Sequence, residues 1–350
     1  MKKRKAYLLV ASENIIFAAA NVAMSLNCHS ADDDYDILIY HTGLTRENYE
    51  ALRKIPNVKP VRFQFQEDFV STMLGDKGLP GGRWKSRNSL LTAAHYEIFP
   101  LLDEYHIVIW LDADMLVQGD IKELENYGPL GLAYDLNFNE VWKVKDQFVE
   151  PVDGYDMDRD SQINACIVAT DELADYHALY EYCYEVSRKQ APKLKNLDQA
   201  VFQLMIQDFN IKTTCIPWND FVCHANHPNS SMAKLVHFGT EKKPWNDQLM
   251  FSCFPEWFRY HMRWLELGGL DFDRSGINNA SLYWILNARS YDVNKVGWTS
   301  GIRGRVVACI RWMLGFGAIR KILNSKIYKT QSGTVTVKDL LFPIYKRMFR

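Results

Sequence analysis

Residues 107–111 (IVIWL) are apolar without a break, and two acids two residues apart, Asp112 and Asp114, follow at once. A strand apolar on both faces belongs in the middle of a sheet that is covered on both sides, the setting of parallel α/β proteins. The preceding sequence keeps to that scheme. Strand-like runs at residues 7–10, 36–40 and 61–65 alternate with helix-like runs at 15–26, after Thr45 as an N-cap, and at 89–102. Four glycines and a proline in residues 75–83 predict a mobile loop. Ligands of such sheets sit beyond the carboxyl ends of the strands, which is where Asp112 and Asp114 fall.

A chain of 350 residues, 47% hydrophobic, has enough apolar surface for a large core, and its length allows two domains or one large domain with an appendage. The expected division is a body over residues 1–250 and an aromatic, basic, mainly helical region over 251–350. Net charge is −1, which gives no argument for a nucleic-acid partner. The charge is uneven, however: residues 301–350 carry eleven Lys or Arg and one acid, Asp339. Residues 306–323 read as a basic amphipathic helix that, with Trp298, Trp312 and Phe316, suits an anionic membrane surface or a cap on the body. No run is long enough to span a membrane, and the first apolar run, 6–11, is too short for a secretory leader. Seven cysteines without CxxC spacing favour a reducing compartment, so a cytoplasmic protein, peripheral on the inner face of the membrane, is expected. Cys215, Cys223, His224 and His227 match no common zinc spacing and read as buried or loop residues. There is no GxGxxG after the first strand and no GxxxxGK[ST], which removes the usual support for dinucleotide and P-loop readings.

Four segments carry chemistry. Two carboxylates at i and i+2 of an extended segment point to one side and repel, unless a hard divalent cation lies between them; the bland reading is a loop of solvated acids. His237, followed by Gly239 and Lys243-Pro-Trp245, suits a metal ligand with a phosphate-binding cation behind it, or a structural imidazole. Asp198-Gln199 opens a helix over 198–207, with Asp198 either an N-cap or a ligand for sugar hydroxyls. Asn164 precedes an apolar strand.

In this order the four segments resemble glycosyltransferase family 8, retaining enzymes that include bacterial lipopolysaccharide galactosyl- and glucosyltransferases and, more distantly, glycogenin. The likeness runs from Tyr7 to Trp245. It implies a GT-A-type, Rossmann-like mixed α/β sheet flanked by helices. It further implies that Asp112, Asp114 and His237 bind Mn2+ (or Mg2+), that Lys243 contacts the diphosphate of a UDP-sugar, and that Ser12, Asn14, His95, Ala113 and Asn164 line the donor site. Asp198 would hold the sugar hydroxyls, Gln199 would face the anomeric carbon, and Asp135 would line the donor and acceptor site. The chain departs from the family pattern at Ser12, often Asp, at His95, commonly Arg in bacterial relatives, at Ala200, usually Asp, and at Gly239, displaced by one position. The basic loop residues Arg83, Lys85 and Arg87 would compensate at His95. The implied function is transfer of a hexose, galactose or glucose, from a UDP-sugar to lipopolysaccharide or another lipid-linked saccharide. A protein or soluble-glycan acceptor, or a silent nucleotide-sugar-binding protein, are the alternatives. A Gln in place of a carboxylate nucleophile points to front-face transfer rather than double displacement.

Overall fold

The computed structural model describes residues 2–30, 34–66, 68–74, 87–133, 136–137, 140–161, 165–217, 221–239, 242–272, 326–330 and 333–336. The loop expected at 75–83 and the helix expected at 306–323 lie outside them. In chain order the strands are β1 (Lys3–Val10), β2 (Tyr35–His41), β3 (Val58–Arg62), β4 (Tyr105–Leu111), β5 (Met115–Val117), β6 (Leu130–Ala133), β7 (Leu136–Asn137), β8 (Glu140–Val141), β9 (Cys166–Thr170), β10 (Thr214–Ile216), β11 (Val222–His224), β12 (Leu235–His237), β13 (Lys326–Thr330) and β14 (Gly333–Thr336). The α-helices are α1 (Ile16–His29), α2 (Arg46–Arg53), α3 (Phe69–Leu74), α4 (Tyr176–Gln190), α5 (Leu197–Asp208), α6 (Gln248–Cys253) and α7 (Pro255–Glu266).

Seven strands make the main sheet in the order β10-β6-β9-β4-β1-β2-β3. Strand β9 runs antiparallel to both its neighbours, and the other adjacent pairs are parallel. The sheet is therefore mixed, with β4 at its centre. Alternate residues of β4 enter two cores: Ile109 and Leu111 pack with α1 and α7 on one face, Val108 and Trp110 with α5 and the 3-10 helix Arg87–Ile98 on the other. That two-sided burial accounts for the uninterrupted apolar run. A second sheet, β11-β12-β5, runs β12 antiparallel to β5, just after β4. β7 pairs with β8, and β13 with β14, as two-stranded ribbons.

Three boundaries differ from the sequence pattern for identifiable reasons. β1 begins at Lys3 rather than Tyr7 because its cations have distant partners: Lys3 bonds Asp36, and Arg4 and Lys5 bond Glu125. β3 covers Val58–Arg62 rather than 61–65; its Pro60 is tolerated because β3 is an edge strand. The stretch expected as one helix over 89–102 is two 3-10 segments, Arg87–Ile98 and Pro100–Asp103, divided at a proline that cannot donate to the preceding turn. Thr45 caps α2 as expected, its hydroxyl accepting from the Asn48 amide.

Asp36 ties β1, β2, β3 and β4 together at the amino end of the sheet. Its Oδ2 accepts from Lys3 Nζ (2.6 Å), Lys59 Nζ (2.7 Å) and the Tyr105 hydroxyl (2.6 Å). Burial opposes ionisation of Asp36, but these hydrogen bonds outweigh it and hold the carboxyl below the usual carboxylate range. The stabilisation is therefore complete above the unfolded carboxylate's pKa, about 3.9, and is lost as pH falls through the lower folded value. Asp36→Asn is expected to cost about 1–3 kcal/mol at pH 7. The gap from wild type should be open at pH 7 and close at a pH below the lowered folded value. Thermal melts at both pH values check this; a gap that persists in acid would exclude the charge as its source.

Candidate active site

β1 and β4 are parallel neighbours with Leu8 opposite Trp110, so the segments after them emerge side by side. One carries Ser12, whose hydroxyl bonds the Asn14 carboxamide. The other carries Asp112, Ala113 and Asp114. Its turn is fixed from two sides. The Asp112 amide donates to the Ala165 carbonyl (3.1 Å), and the Phe238 amide donates to the Asp114 carbonyl (2.9 Å). Ala165 holds φ 57°, a left-handed conformation that costs a residue with a Cβ about 1–2 kcal/mol. Such strain concentrates where backbone must serve a site.

His237, the last residue of β12, is set against both acids by the antiparallel pairing of β12 with β5, His237 opposite Met115. Its Nε2 lies 3.4 Å from Asp112 Oδ2 and 3.3 Å from Asp114 Oδ1. Charged N–H···O bonds are shorter, about 2.7–2.9 Å; these spacings suit donors arranged round a shared centre. One atom from each of the three residues lies within 4.8 Å of those of the others. Two carboxylates and an imidazole form a set of hard donors that fits Mn2+ or Mg2+. Lys243 Nζ bonds the other oxygen of Asp114 and the Phe238 carbonyl.

The electrostatics of the two acids differ. Burial raises the Asp112 carboxyl above its ordinary range, and the charge of Asp114 adds to this, against the pull of His237. Burial acts the same way on Asp114, but there His237 and Lys243 prevail and hold the carboxyl well below the ordinary range. Burial favours neutral His237, yet the negative charges of Asp114 and Asp112 close to it outweigh that and raise the imidazole. The group is an anionic pocket with one cation already drawn into it.

Gly239 explains the displaced glycine. A Cβ there would stand 2.6 Å from His237 Cε1 and 2.8 Å from His224 Cε1, the two rings being stacked with centroids 5.3 Å apart. Glycine lets the chain close over both imidazoles. Gly239→Ala is expected to turn the His237 ring and weaken Mn2+ affinity about 10–100-fold, the usual range for lost outer support of a metal ligand. A Mn2+ titration with the melting temperature as control checks this; unchanged affinity would mean the ring is held by other contacts. Among the described residues Cys215, Cys223, His224 and His227 join no group that could hold a metal.

Asp198 is not an N-cap. The N-cap of α5 is Asn196, and Asp198 lies in the first turn with its Oδ2 2.6 Å from His95 Nδ1. His95, which the resemblance sets where relatives commonly carry arginine, stacks on Trp110 with centroids 3.5 Å apart and 21° between planes. Asn196 Nδ2 donates to the Oε1 atoms of Gln147 (2.6 Å) and Gln199 (3.2 Å), which orients Gln199. Ala200 is fully buried. Asp135 and Asn164 lie outside the described residues, as do Arg83 and Lys85, and Arg87 outside those whose side chains are described. The pattern gave no role to Trp110, whose Nε1 donates to Asp112 Oδ1 (2.9 Å). The signal was present, because residues i and i+2 of an extended chain share a side.

A model described as Glycosyl transferase family 8 matches residues 7–248. No curated protein matches significantly. Among solved structures, the apo WbbM bifunctional glycosyltransferase is similar, with TM-score 0.56 and 16% identity over 76% of this chain and 52% of that one. The chain thus spans about half the length of WbbM. The galactosyltransferase LgtC, in complex with donor and acceptor sugar analogues, gives TM-score 0.52 and 15% identity over 75% of this chain and 95% of its own. An active-site variant of LgtC with glutamine changed to glutamate gives TM-score 0.52 and 15% identity, over 75% and 94%. At these identities the likeness is one of fold, the GT-A architecture.

Proposed function

Because the chain belongs to glycosyltransferase family 8, and is a glycosyltransferase, we propose that it moves a hexose, galactose or glucose, from a UDP-sugar to a lipid-linked saccharide such as lipopolysaccharide, with retention at the anomeric carbon. The observation that carries this reading is the meeting of Asp112, Asp114, His237 and Lys243 beyond the carboxyl end of the central strand. Asp112, Asp114 and His237 would hold Mn2+, or Mg2+. The bound ion supplies positive charge that stabilises the leaving diphosphate without a proton donor. Lys243 binds the same diphosphate, and Ser12, Asn14 and Ala113 line the nucleotide side. Asp198, held by His95, accepts hydrogen bonds from sugar hydroxyls, with Asn164 and Asp135 assigned to the sugar and acceptor side by the family resemblance.

The C1–O bond to the diphosphate breaks as the acceptor oxygen bonds C1 from the same face. The acceptor hydroxyl proton passes to the departing diphosphate oxygen. Gln199 is a poor nucleophile, so its carboxamide oxygen stabilises positive charge on the sugar instead. LgtC has an active-site glutamine, the one changed in its variant, which is in keeping with a glutamine serving such a site, and LgtC's activity as a galactosyltransferase supports a galactose or glucose donor. The basic segment 301–350 supports attachment to an anionic membrane surface from the cytoplasmic side, where several cations contribute about 1 kcal/mol each. Vesicle sedimentation of the chain truncated after Gly301 tests this; unchanged sedimentation would assign the segment to a cap on the body.

The reading is tested by incubating the protein with Mn2+ and a panel of UDP-hexoses and other nucleotide sugars, measuring the released nucleoside diphosphate, and then adding lipid-linked saccharide and following the new anomeric proton by NMR. Release from one hexose, with an α linkage formed from an α donor, is expected. A β linkage would overturn retention, and release without preference for UDP-hexoses over other nucleotide sugars would overturn the donor class.

A further inference from the structure

The metal-side carboxylate bonds the indole of Trp110, and the sugar-side carboxylate reaches the same ring through His95. Trp110 is 2% exposed, with Phe202 beside it at 6.1 Å between centroids. Its indole N–H donates to Asp112 Oδ1 (2.9 Å), while Asp112 Oδ2 is the oxygen that faces His237. Its ring face carries His95 at 3.5 Å, and His95 in turn holds Asp198 Oδ2 at 2.6 Å. Asp112 and Asp198 are far apart in sequence, yet Trp110 and His95 link them through one bond, one stack and one further bond.

We propose that Trp110 is a positioning residue shared by both halves of the site: its N–H orients Asp112 for the metal, and its face seats the imidazole that orients Asp198 for the sugar. The proposal rests on the metal and donor assignments made above. A planar, fully packed indole has few accessible rotamers, so one rigid group sets the spacing between the two carboxylates. His95 suits this arrangement, because a flat imidazole stacks in register with the indole while its Nδ1 still reaches Asp198. Loss of such outer support lowers metal affinity about 10–100-fold in other metal sites.

Two variants separate the two contacts. Trp110→Phe keeps a flat ring under His95 and removes the N–H; Trp110→Leu removes both. Mn2+ affinity is measured by electron paramagnetic resonance without nucleotide, and the preference for UDP-hexose over UDP by calorimetry with saturating Mn2+. Trp110→Phe is expected to weaken Mn2+ binding about tenfold or more at an unchanged melting temperature, and to keep the preference for UDP-hexose. Trp110→Leu is expected to lose that preference as well. If the leucine variant does not fold, the phenylalanine variant decides alone. Wild-type Mn2+ affinity in Trp110→Phe would overturn the proposal while leaving the metal assignment intact. Absence of Mn2+ binding in the wild-type protein would overturn the metal assignment itself and the proposal with it.

Discussion

Asp114→Ala is expected to lower Mn2+-dependent UDP release by about 10³-fold or more, the largest effect of any single change considered. Removing one electrostatic stabiliser of a transition state commonly costs about 10²–10³-fold, and Asp114 supports two at once. One of its oxygens faces His237 and the other anchors Lys243. Under the proposed assignment the variant loses a metal ligand and frees the cation assigned to the diphosphate. The two acids should also separate in metal-free buffer. Asp114 is stabilised as a carboxylate by His237 and Lys243, so its loss should lower the melting temperature. Asp112 is disfavoured as a carboxylate by burial and by Asp114, so Asp112→Asn should raise it. Both variants should be inactive. Melting shifts of the same sign would contradict the electrostatic account of the pair.

Gln199→Ala is expected to lower kcat by about 10²–10³-fold with donor KM within about twofold, because in the proposed mechanism its oxygen acts on charge that develops only in the transition state. The side chain is set for this by Asn196, which holds it and Gln147 together at the start of α5. Asn196→Ala should reproduce part of the loss in kcat by releasing the carboxamide. Steady-state kinetics of slow donor hydrolysis and of transfer measure both. A rise in KM with kcat unchanged would make Gln199 a binding residue rather than a catalytic one.

The sequence was most legible where one physical demand dominates. Two-sided burial made β4 readable as a central strand, and two acids at its end located the site. Thr45 was readable because N-capping is local. Pairings between distant residues were not. Lys3, Arg4 and Lys5 look wrong for a strand until Asp36 and Glu125 are brought to them. His95 looked like the loss of an arginine's grip; only the fold shows that it meets Asp198 and Trp110. Asp198 was equally suited to an N-cap, and its tertiary partner decided the matter. Ala165 carries no side-chain signal at all, since its contribution is a left-handed backbone and a carbonyl for Asp112.

The central claim is that Asp112, Asp114 and His237 bind a divalent ion that in turn binds the diphosphate of UDP. Calorimetric titration of UDP into the protein, with saturating Mn2+ and again with EDTA, tests it most directly. The account predicts strong binding with Mn2+, at least a tenfold loss with EDTA, and the same loss in Asp114→Ala with Mn2+ present. Equal UDP affinity with and without the ion, or no UDP binding in either buffer, would contradict it.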